Sequence, residues 1–320
     1  MIDIMRAFTP TSWLFLDMVA IAMFMLLLAY VIKTEERPIP VVFSMFAFLI
    51  YSGIFENLGH TYTRMHPYSP YRLLRIGNIA LTVSMTECVL FFTAYLLVRN
   101  LVLPKCLKWT KPFMVGILAT IPDYVIDTVM AADVYIFDNL PHAQWNWHWA
   151  DNLQQVYDGA FFKVPFYNFT GWYFLMVWFG LSLALGKWIH KKSNYNTIVG
   201  YIYPWFMPIT SMMCMMLPTS SLFLFGSFTA QSSRIPELVM LLLWSIIGVI
   251  LFIIGRKTKE SFNAKKNWPI FVMPLAFEVA YGIVAFARGL EIAYIPTIVF
   301  TIGHALFLVY IYRQGKTVKS

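Results

Sequence analysis

Nine apolar stretches, at 12–32, 38–57, 78–103, 112–132, 169–189, 197–217, 236–255, 268–287 and 291–312, constrain what this chain can become. A helix of about 20 apolar residues crosses the hydrocarbon layer of a bilayer. In that solvent the backbone must satisfy its own hydrogen bonds, so apolar stretches of this length have to be helices. With 59% hydrophobic and only 12% charged residues, the chain is too apolar for a soluble domain. The expected fold is all-α: a polytopic transmembrane helical bundle of about 8–9 spans, making one integral membrane domain over residues 1–320. The weakest point of the count is 218–235, which is apolar but short and reads as either a re-entrant piece or an extension of its neighbour. The N-terminal MIDIMRAFTPTSW has no basic leader and no small-residue cleavage site, so the first apolar run is expected to be a retained helix.

A net charge of +8 raises the question of nucleic acid, but the basic residues sit in short clusters between apolar runs. That arrangement encodes membrane topology, and nucleic acid is excluded as a partner. Seventeen of the 24 Lys and Arg residues follow odd-numbered spans or lie in the C-terminal tail. Since cytoplasmic loops are enriched in Lys and Arg, the N-terminus is expected outside and the C-terminus inside a bacterial or archaeal cytoplasmic membrane. The segment 133–168 then falls outside. It carries Trp145, Trp147, Trp149, Tyr157, Phe161 and Phe162, an aromatic set suited to the headgroup region, and is expected to lie on the membrane as a lid. Cys88, Cys106 and Cys214 show no CxxC spacing and read as packing residues.

Acids inside the apolar runs are the chemically informative residues. Asp123 and Asp127 are four apart and share one helix face, which is unlikely ground for lipid contact. Asp17, Glu56, Glu87 and Glu278 also fall within or at the ends of spans. Each costs roughly 2.5–3.5 kcal/mol to insert, so several together imply a polar cavity in the bundle. The topology places Glu56, Asp123 and Asp127 in one outer half. A carboxyl held there away from water keeps its proton near neutral pH and is a general acid for an apolar substrate. His60, His66, His142 and His148 form no HxxxH or HxxHH array, and His304 stands alone in the last span, where an interhelical hydrogen bond is the expected role. No metal and no nucleotide cofactor is expected, since neither a His/Cys ligand set nor a Gly-rich phosphate loop occurs.

At these acids the sequence resembles the integral-membrane carotenoid hydratase family, which includes the γ-carotene 1′-hydroxylases and bisanhydrobacterioruberin hydratases. That family has a segment like DLxLDP, then aromatics, then GVPxxNFxGW. Here the corresponding residues are Asp123 to Thr128, then Trp145 and Trp147, then Val164 to Trp172, with Glu56, Gly59, Pro70, Tyr71 and Gly77 resembling an earlier acid-plus-glycine element. The likeness spans about residues 55–175. Thr128 stands in place of a proline, Lys163 in place of a glycine, and the insert between Asp133 and Phe161 is long.

The resemblance implies water addition to the terminal double bond of an acyclic carotenoid or related polyprenoid, without a redox cofactor. Asp127, with Asp123 or Glu56 as partner, would protonate the alkene, and water would capture the tertiary cation. Tyr124, Trp147, Phe169 and Trp172 would offer π faces to the cation, Asn168 would orient the water, and Tyr71 would contact the substrate. Asn168 and Gly171 equally fit capping and close packing at the start of the fifth span. Three other readings remain open: an acid-initiated isomerase or cyclase, a membrane prenyltransferase, and a proton-coupled transporter relaying through Glu87 and Glu278. The prenyltransferase reading needs a second DxxxD, which is absent, and the transporter reading needs an inverted repeat, which is not evident.

Overall fold

The computed structural model describes residues 2–4, 9–63, 67–137, 139–145, 147, 161–216, 235–255, 259 and 262–316. Within them the chain is a helical bundle: α1 (Thr11–Thr34), α2 (Pro38–Leu58), α3 (Leu81–Val98), α4 (Lys111–Thr120), α5 (Asp123–Ala132), α6 (Phe166–Lys192), α7 (Thr197–Met215), α8 (Ile235–Ile254), α9 (Pro269–Ala287) and α10 (Glu291–Lys316). Eight helical stretches among the described residues are long and apolar enough to cross a membrane, and a shorter apolar helix covers Leu238–Ile254. The segment 218–235 lies outside the described residues, apart from Ile235 at the start of α8.

Local chemistry sets the element boundaries. Pro38 opens α2 at a position whose N–H needs no helical partner. The Asn196 side chain caps α7, accepting from Ile198 N at 2.9 Å and Val199 N at 3.2 Å. The fourth span is not continuous: Pro122, lacking an N–H, divides it into α4 and α5 at Ile121–Pro122 and makes Asp123 the first residue of α5. The third helix is shorter than the apolar run 78–103, because a small antiparallel sheet precedes it. In that sheet β2 (Leu74–Ile76) pairs with both β1 (Ile2–Ile4) and β3 (Ile79–Ala80). Gly77 makes the β2–β3 turn at φ +63, where a Cβ would run into the Asn57 carboxamide that clamps the turn.

The central helix is α3, buried along almost its whole length and packed by α1, α2, α4 and α9. Next to it α4 packs on α6, and α5 packs on α9 and α10. Gly116 lets α4 approach α6 closely, since a Cβ there would lie 2.8 Å from Tyr173 and Val177. The outer helices present Ile198, Met213 and Leu306 outward, each 66% exposed, an apolar surface that only lipid satisfies.

The two ends of the bundle differ. At one end Arg99 forks onto Glu35, Lys111 Nζ donates to the carbonyls of Val98, Arg99 and Leu101 at 2.8–3.0 Å, and Lys259 N donates to Asn100 O. The Lys111 ammonium thus satisfies the carbonyls left open where α3 ends. At the other end Arg288 pairs with Asp133 at 2.9 Å, and Ser12 donates to the same carboxylate. The basic segments around 99–111 and Lys259 therefore share one end, as their sorting in the sequence requires.

Of the aromatic segment 133–168, residues 138, 146 and 148–160 lie outside the described residues. Its described part forms a hairpin, β4 (Tyr135–Phe137) with β5 (Leu140–His142), and then turns inward. Gln144 N donates to Met130 O at 3.3 Å, Ser69 N donates to Gln144 O at 2.9 Å, and Trp145 bridges to Tyr68. Those backbone ties seat Trp145 and Trp147 inside the end of the bundle, 4% and 5% exposed, where they plug it. Trp149 and Tyr157 lie outside the described residues.

Candidate functional site

The break at Pro122 and the i, i+4 spacing aim Asp123 and Asp127 from α5 toward the start of α6, and both are fully buried. Asp123, at the N-terminus of α5, also faces the partial positive charge of that helix end. Pro165 opens α6, and Asn168 follows one turn inside it. From there a single amide nitrogen, Asn168 Nδ2, donates to Asp123 Oδ2 at 3.0 Å and to Asp127 Oδ2. The other oxygens, Asp123 Oδ1 and Asp127 Oδ1, receive no N–H or hydroxyl from any described residue. The two carboxyls are within hydrogen-bonding reach of each other.

Glu56 and Glu87 form a second pair beside the first. Glu56, near the end of α2, accepts from the Tyr68 hydroxyl at 2.6 Å. Glu87, one and a half turns into α3, accepts from Ser52, whose hydroxyl oxygen lies 2.9 Å from Ser84 Oγ and is free to accept from it. The Glu56 and Glu87 carboxyls are within hydrogen-bonding reach of each other, and Asp127 lies within electrostatic reach of both. Burial, and after it the charge of Glu56, pushes the Tyr68 phenol up from its ordinary value, so it remains a donor. The spacing of the chain thus brings Glu56, Asp123 and Asp127 together as expected. Glu87, Ser52, Ser84 and Tyr68 belong to the same constellation and were not read as part of it.

Three of these acids, Glu87, Asp123 and Asp127, differ from Asp17, Asp133, Glu35 and Glu278 in what surrounds them. Asp17 is buried against Arg72, Asp133 against Arg288, Glu35 against Arg99, and Glu278 meets His304 Nδ1 at 2.7 Å. His304 is therefore an interhelical partner, as expected. Glu87, Asp123 and Asp127 have no Lys, Arg or His at ion-pair distance among the described residues. A hydrogen bond between two carboxyls requires a proton on one of them, because an ionised carboxylate only accepts.

An aromatic cluster sits at Tyr124, next to Asp123 in α5. Tyr124, beside Asp123, is stacked between Phe169 at 4.1 Å and Phe300 at 4.4 Å, with Phe161 edge-on at 5.4 Å. Trp147 stands edge-on to Tyr167 at 5.8 Å. Trp172, one turn beyond Asn168, lines a small neighbouring cavity together with Arg72 and Asp17. Tyr71 stacks on Phe137 at 3.9 Å and meets His142 edge-on, which places it at the hairpin. No protein-family model, curated protein or solved structure matches the chain.

Proposed function

We propose that the protein is an integral membrane hydratase. It protonates a terminal double bond of an acyclic carotenoid or related polyprenoid and captures the resulting cation with water, using no cofactor. The observation that supports this best is the bridging of Asp123 and Asp127 by the Asn168 amide, in a water-poor interior shared with Glu56 and Glu87 and without a cation beside the aspartates. Intramembrane acids with no charge partner are costly and are kept for function. The choice of a polyprenoid rests on the resemblance of residues 55–175 and on the aromatic cluster beside Asp123.

In the proposed reaction the alkene π pair takes the proton of Asp127, leaving a tertiary cation and an Asp127 carboxylate. Both faces of Tyr124 are covered by Phe169 and Phe300, so the π faces left for that cation are those of Trp147 and Trp172. Water oxygen forms the new C–O bond, and its surplus proton returns to a carboxylate, with Asp123 and the Glu56–Glu87 pair as acceptors. The net change is one water added, with no change of oxidation state. The outer-end position of the constellation follows from the charge sorting, with the N-terminus outside.

The test is mass analysis of an acyclic carotenoid incubated with membranes containing the chain. A product heavier by one water supports hydration. A product of unchanged mass and shifted retention replaces it with isomerisation or cyclisation by the same acid.

A further inference from the structure

A buried polar network lies beside the carboxyl constellation, against α5 and α3. Arg72 donates from Nη2 to Asp17 Oδ1 and from Nε to Asp17 Oδ2, Thr82 donates to Asp17 Oδ1, and Arg72 Nη1 donates to Gln144 Oε1. All four residues are at most 3% exposed. Against them lies a cavity of about 10 Å³, room for one water. Its polar lining is Asp17, Arg72, Thr82, Thr86 and Tyr281, whose hydroxyl also reaches Met130 Sδ at 3.9 Å. A buried water needs two to four polar partners, which this lining supplies. Gln144 Nε2, held at the same guanidinium, is buried and finds no acceptor among the described residues.

The cavity adjoins the acids at three points. Ile126 and Met130 in its wall flank Asp127 on α5, Thr86 precedes Glu87 on α3, and Trp172 lies one turn from Asn168 on α6. Arg72, Asp17, Asp127 and Asp123 are all within electrostatic reach of the Tyr281 hydroxyl.

We propose that this cavity is the store of the reacting water, and that Thr86 and Tyr281 position that water toward the cation formed at Asp127. The inference rests on the hydratase reading above. Water is held by a fixed ion pair that has no part in protonation, so it is present before the acid acts and stays apart from the acids until a cation draws it. Its oxygen then forms the C–O bond, and the proton it sheds passes to the carboxylate side. Without the stored water the cation has one exit, loss of a proton back to a carboxylate, which regenerates an alkene.

The experiment is turnover of an acyclic carotenoid in deuterated water by wild type, Thr86→Val and Ala20→Leu, reading deuterium in the alcohol and in recovered alkene. Thr86→Val removes one hydroxyl at nearly constant volume, and Ala20→Leu fills the cavity from α1. Should the larger side chain prevent folding, Thr86→Val decides alone. The expected result is that deuterium still enters the carbon skeleton while the ratio of alcohol to exchanged alkene falls by about tenfold, the equivalent of ~1.4 kcal/mol in relative barriers. A merely structural loss would lower both products together, and that outcome, or an unchanged ratio, overturns the water store while leaving the hydratase reading intact. If wild type yields exchanged alkene and no alcohol, the hydratase reading falls and the store falls with it.

Discussion

Asn168 on α6 donates to Asp127 on α5 through the same nitrogen that donates to Asp123, so one amide fixes the separation of two buried carboxyls. Replacing it by leucine keeps the bulk and removes the only N–H that these oxygens receive from a described residue. The buried acceptors then lose their partner, at a cost of about 1–3 kcal/mol. Asn168→Leu should lower the melting temperature in detergent and reduce turnover further than folding loss explains. Unchanged melting and unchanged turnover would show that the bridge does not hold the site.

The Arg72–Asp17 pair makes a contrasting stability prediction. Arg72→Met strands the Asp17 charge among apolar side chains, and loss of one partner of a buried pair costs about 3–5 kcal/mol. Converting Asp17 to leucine in the same chain should recover most of that loss, because no charge is then left buried. Equal instability of the single and double variants in chemical unfolding would contradict this.

The bundle was legible in the sequence because its solvent is. Apolar runs of spanning length leave few alternatives to helices, and the pairing of Asp123 with Asp127 follows from i, i+4 geometry alone. The α4–α5 break was legible too, since a proline before an acid marks a helix start, although the run 112–132 was read as continuous. Other parts were not. Glu87 joins the site through Ser52 and Glu56 on α2, and no periodicity in α3 reveals which neighbour its face meets. Asp17 is neutralised by an arginine 55 positions away in a loop, and only the folded chain shows that partnership. Trp145 and Trp147 read as interfacial aromatics, yet backbone ties at Gln144 draw them into the core.

At the opposite end, Glu35 gives a pH prediction. Burial alone raises its carboxyl, but the hydrogen bond and charge of Arg99 outweigh burial and hold it below its ordinary 4.5. A carboxyl lowered in the folded state contributes stability above its unfolded value and loses it as pH falls through the folded one. The gap in melting temperature between wild type and Glu35→Gln should therefore be constant at neutral pH and close as pH drops below 4.5. A gap that widens in acid would reverse the sign.

Orientation is checked with single cysteines in a Cys106→Ser background, since Cys106 is the exposed native thiol among the described residues. A cysteine at Leu140, 60% exposed on the hairpin, should react in intact cells with an impermeant maleimide. One at Asn263 should react only once the membrane is opened. Reaction of both from one side would mean an even number of crossings between them and would redraw the bundle after α6.

The central claim is that a buried carboxyl protonates an alkene and solvent water completes the product, and oxygen-labelled water tests it most directly. Wild-type membranes incubated with an acyclic carotenoid in labelled water should yield an alcohol carrying solvent oxygen. Asp127→Asn, which keeps the shape and removes the proton, should form that product about 100-fold more slowly or less. Labelled alcohol from Asp127→Asn at the wild-type rate, or an alcohol from wild type that carries no solvent oxygen, would contradict the account.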